Sequence, residues 1–316
     1  MSDTASSEIL IDLSTAILRV DTGVLQCRLV SDADRRDGAA RLPFGPFMPD
    51  RHRTMEIGLR QWVREQVGVD LAHVEQLYTF ADQGRDARGD GAHVVSVGYL
   101  ALARGDKTPS GVWGDIYTFF PWEDWRDGRP AMLDAHILPA LDGWLNNHAS
   151  AAERVRLAFG RDGAQWDEEF VLERYELLYQ AGLVTEAVRD AAADAAAPLE
   201  RPLGAPLQLD HRRILATALG RLRSKLKYRP VIFDLMAAEF TLRQLQSTTE
   251  QVMGVKLHTQ NFRRLVEKSD FVEATGRTVK ARGRPAEIFR FRHGDSRERP
   301  LSGLRVSSRN SRGKAG

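Results

Sequence analysis

A single cysteine, Cys27, stands in 316 residues. It excludes an intramolecular disulfide and any zinc cluster built on cysteine. The expected compartment is the cytoplasm. Cys27 lies in an apolar stretch, VLQCRLV, so plain packing is expected of it rather than reactivity. No run approaches about 18 uninterrupted apolar residues, so neither a membrane span nor a membrane partner is expected. The opening residues, MSDTASSEILIDLS, lack the basic and apolar segments of a secretion signal. The eight histidines are scattered without metal-ligand spacing. No Ser/His/Asp arrangement can be recognised from residue order. The expectation is therefore no catalytic residue, no metal and no cofactor. At 42% apolar and 28% charged residues, the composition is that of an ordinary soluble globular protein.

Net charge is small, +2, but it hides a division. From His211 to Gly316 there are 24 Lys and Arg against 9 Asp and Glu, a net of +15. The residues before them carry 21 against 34, a net of −13. A basic part joined to an acidic part suggests that the C-terminal part meets a polyanion. Some of the excess lies in RERPLSGLRVSSRNSRGKAG (297–316), and 294–316 reads as a basic disordered tail. The rest falls within patterned segments.

Aliphatic and β-branched content predicts strands over 9–19 and 24–30, around the turn DTG. Further strands are predicted at 75–80, 93–103 and 115–120. Between them, Met55, Leu59, Trp62, Val63 and Val67 recur at helical spacing, and Gly68 stands where a helix stops. A mixed α/β domain over 1–130 results. Residues 131–197 read as entirely helical, and PLERPLGAP (198–206) reads as a linker, so 131–206 is a helical connector. GDIYTFFPWEDW (114–125) is aromatic-rich and reads as core or interface packing. RYELLYQAGL (174–183) reads as an amphipathic interface helix.

The C-terminal part opens with Asp210 as an N-cap and a helix marked by Ile214, Leu215, Ala218, Leu219, Leu222 and Leu226. Thr241 and Gln244 fit a capping box, and Gly254 is the stop. A short turn, 255–258, leads into TQNFRRLVEKS, with Phe262, Leu265 and Val266 facing inward. FVEATGRTVKARGRPAEIFRFR then reads as a hairpin with a basic tip. Helix, helix–turn–helix and hairpin, in that order, make a winged helix over 207–293. Its second helix would present Asn261, Arg264 and Lys268, flanked by Gln260 and Arg263, to base edges in the major groove. The wing would bring Arg277, Lys280, Arg282 and Arg284 to phosphates or the minor groove.

The stretch LRQWVREQVGV (59–69) matches the frame of a Nudix helix but not its acids. That pattern holds magnesium against a diphosphate through several carboxylates. Anchored on Gly68 and Val69, its acidic and basic positions fall on Arg53, Gln61, Trp62, Glu65 and Gln66, so only Glu65 keeps an acid. Gly45 lies two residues too far upstream, as if the loop carried an insertion. Hydrolysis by the usual metal route is not expected. Trp62 either packs on the core or fills the vacated metal space.

The segment QLYTFADQGRDARGDGAHVVSVGYLALA, taken with GRPAEIFRF, resembles the Nudix-related transcriptional regulators of NAD metabolism. The resemblance covers roughly 9–130 and 207–293; it gives the helical region 131–197 no role. It implies an α+β chain: a Nudix-like α/β/α sandwich, a helical connecting region and a C-terminal winged helix. It implies a repressor of NAD synthesis or salvage genes. Such a protein binds ADP-ribose or a related NAD-derived nucleotide without cleaving it, and grips a pseudo-palindromic double-stranded DNA operator as a homodimer. The loop 82–91 is the candidate ligand contact. Arg85 and Arg88 would hold phosphates, Asp86 a ribose hydroxyl, and Tyr78 or Phe80 would stack on adenine. The competing classes are a nucleotide diphosphate hydrolase with unusual metal ligands and a protein-binding scaffold.

Overall fold

The computed structural model describes residues 9–30, 40–71, 73–82, 93–104, 111–190, 203–269, 271–280 and 285–292. Strands β1 (Ile9–Asp21) and β2 (Val24–Arg28) pair antiparallel through Thr22 and Gly23, whose φ angles are 47° and 78°. Two positive φ values in a two-residue loop give the turn whose twist suits the flanking strands. β3 (Phe44–Pro46) pairs with the same edge of β1 as β2, nearer its start, and helix α1 (Met55–Val67) follows. The Thr54 hydroxyl accepts from the Ile57 amide at 3.2 Å and starts the helix; Gly68, in the left-handed conformation, ends it. β4 (Val74–Phe80), β5 (His93–Leu102) and β6 (Trp113–Asp115) complete a sheet ordered β4-β5-β1-β2-β6, with β5 parallel to β1.

The chain continues through helices α2 (Ile116–Phe119), α3 (Leu138–Leu145), α4 (Ala152–Ala158), α5 (Val171–Gln180), α6 (Thr185–Arg189) and α7 (His211–Tyr228). After it come β7 (Glu239–Phe240), α8 (Leu242–Met253), α9 (Thr259–Ser269) and the hairpin of β8 (Val272–Val279) with β9 (Ala286–Phe291).

Side chains alternate along β1, so each face of the sheet has its own core. Leu13 and Ile17 meet Leu59, Val63 and Val67 of α1. Ala16 and Leu18 share the other core with Ile214, Leu215 and Leu219 of α7. Burying a side chain such as Leu59 or Val63 contributes roughly 1.5–3 kcal/mol. The strand domain is thus an α/β/α sandwich, as expected. The α7 core runs on without a break into Leu245, Val252, Phe262 and Val266. Helix α7, read in the sequence as the start of the winged helix, packs on β1, β4 and β5 as well as on α8. It is a wall shared by both halves.

Other expectations change. The strand predicted over 115–120 is the helix α2. The Asp115 carboxylate accepts from the Tyr117 amide at 2.9 Å, and Ile116, Phe119 and Phe120 enter one core. A strand would have sent neighbouring Phe119 and Phe120 to opposite faces. The region 131–190 is helical only in part, because turns occupy much of 160–170. Residues 191–197 lie outside the described residues. The predicted linker ends in buried chain: the Leu203 amide donates to Leu183 O at 3.1 Å and the Ala205 amide to Thr118 O at 2.9 Å. Asp210 precedes α7 but makes no side-chain cap; its carboxylate faces Arg213 at 3.2 Å.

The buried junction is ionic. Glu123, fully buried after α2, accepts two bonds from Arg174 of α5, at 2.6 and 2.9 Å, and one from Arg223 of α7, at 2.7 Å. Arg223 also donates to Val252 O, at the end of α8, at 2.9 Å, and to Glu168 O at 3.0 Å. The Tyr117 hydroxyl donates to Gln251 O at 2.5 Å, and the Trp125 amide to Gly254 O at 2.7 Å. Burial alone would raise the Glu123 carboxyl. The two guanidinium charges outweigh it and hold the group below the usual carboxylate range.

A depressed carboxyl stabilises the fold above the unfolded-state pKa of about 4.3, and loses that contribution as pH falls through its lower folded value. Glu123→Gln leaves the two guanidinium groups without their counter-ion, at an expected cost of roughly 3–5 kcal/mol in urea unfolding at pH 7. The apolar triple variant E123L/R174M/R223M is expected to recover most of that loss. A single-variant cost under about 1 kcal/mol would contradict the role given to Glu123.

Candidate ligand-sensing and nucleic-acid-binding sites

The strand β3 lies along α1 because two side chains of α1 hold it there. Gln66 accepts from the Phe44 amide at 3.1 Å and donates to Phe44 O at 2.6 Å, a two-point clamp on the backbone of one residue. The Trp62 indole nitrogen donates to Pro46 O at 3.0 Å, and its ring lies over Gly45. Any side chain at position 45 would collide with that ring, so only glycine fits. His52, buried, stands edge-on to Trp62 at 6.1 Å and accepts from the Met48 amide at 3.1 Å through Nδ1. Trp62 therefore packs against the strand that carries Gly45. Glu65 is exposed and accepts from Gln61 at 2.8 Å. Among the described residues, no group of three or more His, Cys, Asp or Glu could hold a metal ion.

The aromatic pair expected to meet a ligand is divided by burial. Tyr78 is 61% exposed. Phe80 is buried at 3%, edge-on to Tyr78 at 5.2 Å, and the Arg213 guanidinium lies 4.7 Å from its ring centroid. Stacking by Phe80 on a ligand is thus corrected by the structure: its ring is packed under Arg213 and inside the core. Arg85, Asp86 and Arg88 lie outside the described residues. Asp82, at the start of that loop, pairs with Arg213 at 2.5 Å, and Arg213 also reaches Glu176 at 2.7 Å. Beside it, His211 accepts from the Leu42 amide at 3.1 Å and meets the Phe44 ring edge-on at 5.0 Å. These α7 residues were not expected at the end of the sheet that leads into the expected ligand loop. Only the spacing of His211 and Arg213 on the first turn of a helix buried along the sheet could have suggested it.

Cys27 is buried in the sheet, and burial pushes its thiol up, so it is a packing residue.

At the other end, α8 carries the predicted capping box. The Thr241 hydroxyl accepts from the Gln244 amide at 3.2 Å, and Gln244 Oε1 accepts from the Thr241 amide at 2.7 Å. Gly254, with φ of 69°, ends the helix in a conformation that costs other residues dearly. The turn is set by Glu250, which accepts from the Leu257 amide at 3.0 Å and from Gln246 at 2.9 Å. Helix α9 buries Phe262 and Val266, while Gln260, Asn261, Arg263, Arg264 and Lys268 are all exposed. At 100° per residue from the stripe of Phe262, Leu265 and Val266, Gln260, Arg264 and Glu267 stand most nearly opposite, with Asn261, Arg263 and Lys268 at the flanks. Glu267 was not singled out from sequence; a carboxylate can accept from cytosine N4. In the wing, Arg277 is exposed and pairs with Glu239 of β7, and Lys280 is exposed beyond β8. Arg282 and Arg284 lie outside the described residues.

Residues 232–291 match the model of the NrtR DNA-binding winged helix domain. A curated protein of Acinetobacter baylyi, named ADPR responsive transcriptional repressor NtrR, is 38% identical over 85 residues, 27% of this chain. The alignment spans 34% of that relative, about a third of its length. The crystal structure of Shewanella oneidensis NrtR complexed with a 27mer DNA superposes with a TM-score of 0.52 at 20% identity, over 89% of this chain and 93% of that one. A MutT/nudix family protein from Enterococcus faecalis superposes with a TM-score of 0.52 at 16% identity, over 92% and 90%. At these identities the solved structures speak to the fold. The C-terminal domain matches a winged helix of the NrtR type, and the chain as a whole shares its fold with these two solved structures.

Proposed function

We propose that this chain is a ligand-responsive DNA-binding transcriptional regulator, acting as a repressor of NAD synthesis or salvage genes. Its Nudix-like domain senses ADP-ribose or a related NAD-derived nucleotide and leaves it uncleaved. The observation that carries the reading is the NrtR-type winged helix, whose second helix turns a polar, basic face to solvent. The name of the Acinetobacter relative supplies the effector class. The missing metal acids support binding without hydrolysis. One exposed carboxylate, Glu65, leaves most positions of a divalent ion to water. A homodimer on a pseudo-palindromic operator, and a cytoplasmic location, belong to the same reading. No helix among the described residues is long and apolar enough to cross a membrane.

The route between the two sites is α7. Arg213, in its first turn, holds Asp82 at the start of the expected ligand loop. Arg223 lies ten residues, or about 15 Å, further along the same helix, and holds the end of α8. A shift of the loop on ligand binding would therefore move a rigid element that carries the reading helix with it.

Micromolar ADP-ribose is expected to raise the melting temperature, with no magnesium-dependent product by chromatography. Unchanged melting with both ADP-ribose and NAD contradicts the effector, and turnover abolished by Glu65→Gln contradicts the non-enzymatic reading. In DNA binding, Arg264→Ala is expected to cost about 1–3 kcal/mol on operator DNA alone. Lys280→Ala is expected to weaken operator and random DNA together and to lower the salt slope by about one. Equal losses on both DNAs from both variants would remove this division of roles.

A further inference from the structure

A cavity of about 710 Å³ opens where the strand domain, the end of α7 and the start of the winged helix meet. Its size is that of small-molecule sites. It lies away from the expected ligand loop. That loop leaves the end of β4 and enters the start of β5. The cavity takes Glu75 from the start of β4 and Leu102 and Arg104 from the end of β5.

The lining has two characters. Leu100, Leu102, Leu222 and Val231 form an apolar floor, and Val69 and Leu71 from the chain after α1 extend it. Arg104, Lys225 and Arg229 supply positive charge at the rim, with His73 beside them. Three acids face them, but two are already matched. Asp70 pairs with Arg64 at 2.8 Å, and Glu75 pairs with Lys225. The third, Asp234, is partly desolvated, which raises its carboxyl above the ordinary value. Arg229 is exposed, and no described acid pairs with its guanidinium. The balance left for an occupant is an apolar surface beneath a guanidinium that no described acid compensates.

We infer that this cavity binds a small organic anion with an apolar ring system, its acidic group held by Arg229 and its ring on Leu100, Leu102 and Leu222. Guanidinium binds carboxylate, sulfonate and phosphate oxygens in a planar fork, and the leucines reward an apolar body. Asp234 lies within the winged-helix match and Val231 just ahead of it, while the other walls belong to the sheet and α7. An occupant would therefore touch both halves of the molecule at once, at a place separate from the loop assigned to the nucleotide.

The test uses the full-length protein and 8-anilinonaphthalene-1-sulfonate, a bicyclic sulfonate of the stated chemistry, followed by calorimetry and fluorescence. Saturable binding of one probe per chain is expected. Arg229→Glu, a surface change that leaves the fold intact, is expected to weaken it at least tenfold. Leu102→Trp, which fills the floor, is expected to abolish it with the melting temperature within a few degrees of wild type. Sulfate at equal concentration and saturating ADP-ribose should both leave the probe bound. The inference is overturned if Arg229→Glu binds the probe as wild type does. It is overturned equally if sulfate alone displaces the probe, or if ADP-ribose does. The last result would make this the nucleotide's own site; ADP-ribose melting shifts, measured without probe, report on the proposed function separately.

Discussion

The Glu123 carboxylate, closed in between Arg174 and Arg223, is the constraint on which the arrangement of both halves rests. Removing such charges from water costs several kcal/mol per ion, and each ion here is tolerable only because its donors and acceptors are satisfied. The carboxylate takes three charged bonds. Arg174 also donates to Ala158 O and Asp167 O, and its guanidinium lies 3.8 Å from the centroid of the Trp166 ring. Arg223 also donates to Val252 O, Glu168 O, Glu123 O and the Tyr117 hydroxyl. A second buried pair, Glu186 with Arg212, ties α6 to α7 and to the carbonyls of Phe119 and Leu203. Apolar contacts would tolerate small slippage among these elements. Directional ionic bonds do not, so the helical region 131–190 is a bracket that fixes α7 against the sheet and against α8. It gives a structural role to the region for which the resemblance to the NAD regulators offered none.

The altered Nudix helix fits this rigid frame. Where the pattern calls for metal acids, Trp62 and Gln66 instead hold the backbone of β3. Carboxylates at those positions would repel one another without a cation, and the helix–strand contact would depend on metal occupancy. A neutral amide and an indole give the same contact unconditionally. Under the proposed sensing role, that exchange lets the domain keep one shape before a ligand arrives. Glu65, turned to solvent and engaged by Gln61, takes no part in it.

Much of the architecture was legible because it is local. The α1 frame, the capping box at Thr241 and Gln244, the stops at Gly68 and Gly254 and the wing hairpin each depend on residues a few positions apart. Helix α2 was misread because DIYTFF suits a strand by composition, and only the inward direction of both Phe119 and Phe120 decides otherwise. Asp210 was misread as a cap because its true partner, Arg213, competes for the carboxylate. The ionic junction was invisible: Glu123, Arg174 and Arg223 lie 51 and 49 residues apart along the chain, and nothing in a charged residue announces burial. The face of α9 was readable from its stripe. The end of the sheet beside the expected ligand loop was readable only in part, since Arg213 covers Phe80 from a helix more than a hundred residues downstream.

The central claim is that one end of this molecule governs the other without chemistry on the ligand. Fluorescence anisotropy on DNA from the protein's own upstream region, titrated with ADP-ribose, tests it most directly when the nucleotide is recovered and assayed afterwards. The account predicts a change in DNA Kd of roughly fivefold or more, about 1 kcal/mol of coupling, with ADP-ribose intact. An unchanged Kd at saturating ADP-ribose, or recovery of the nucleotide as cleaved products, would contradict it.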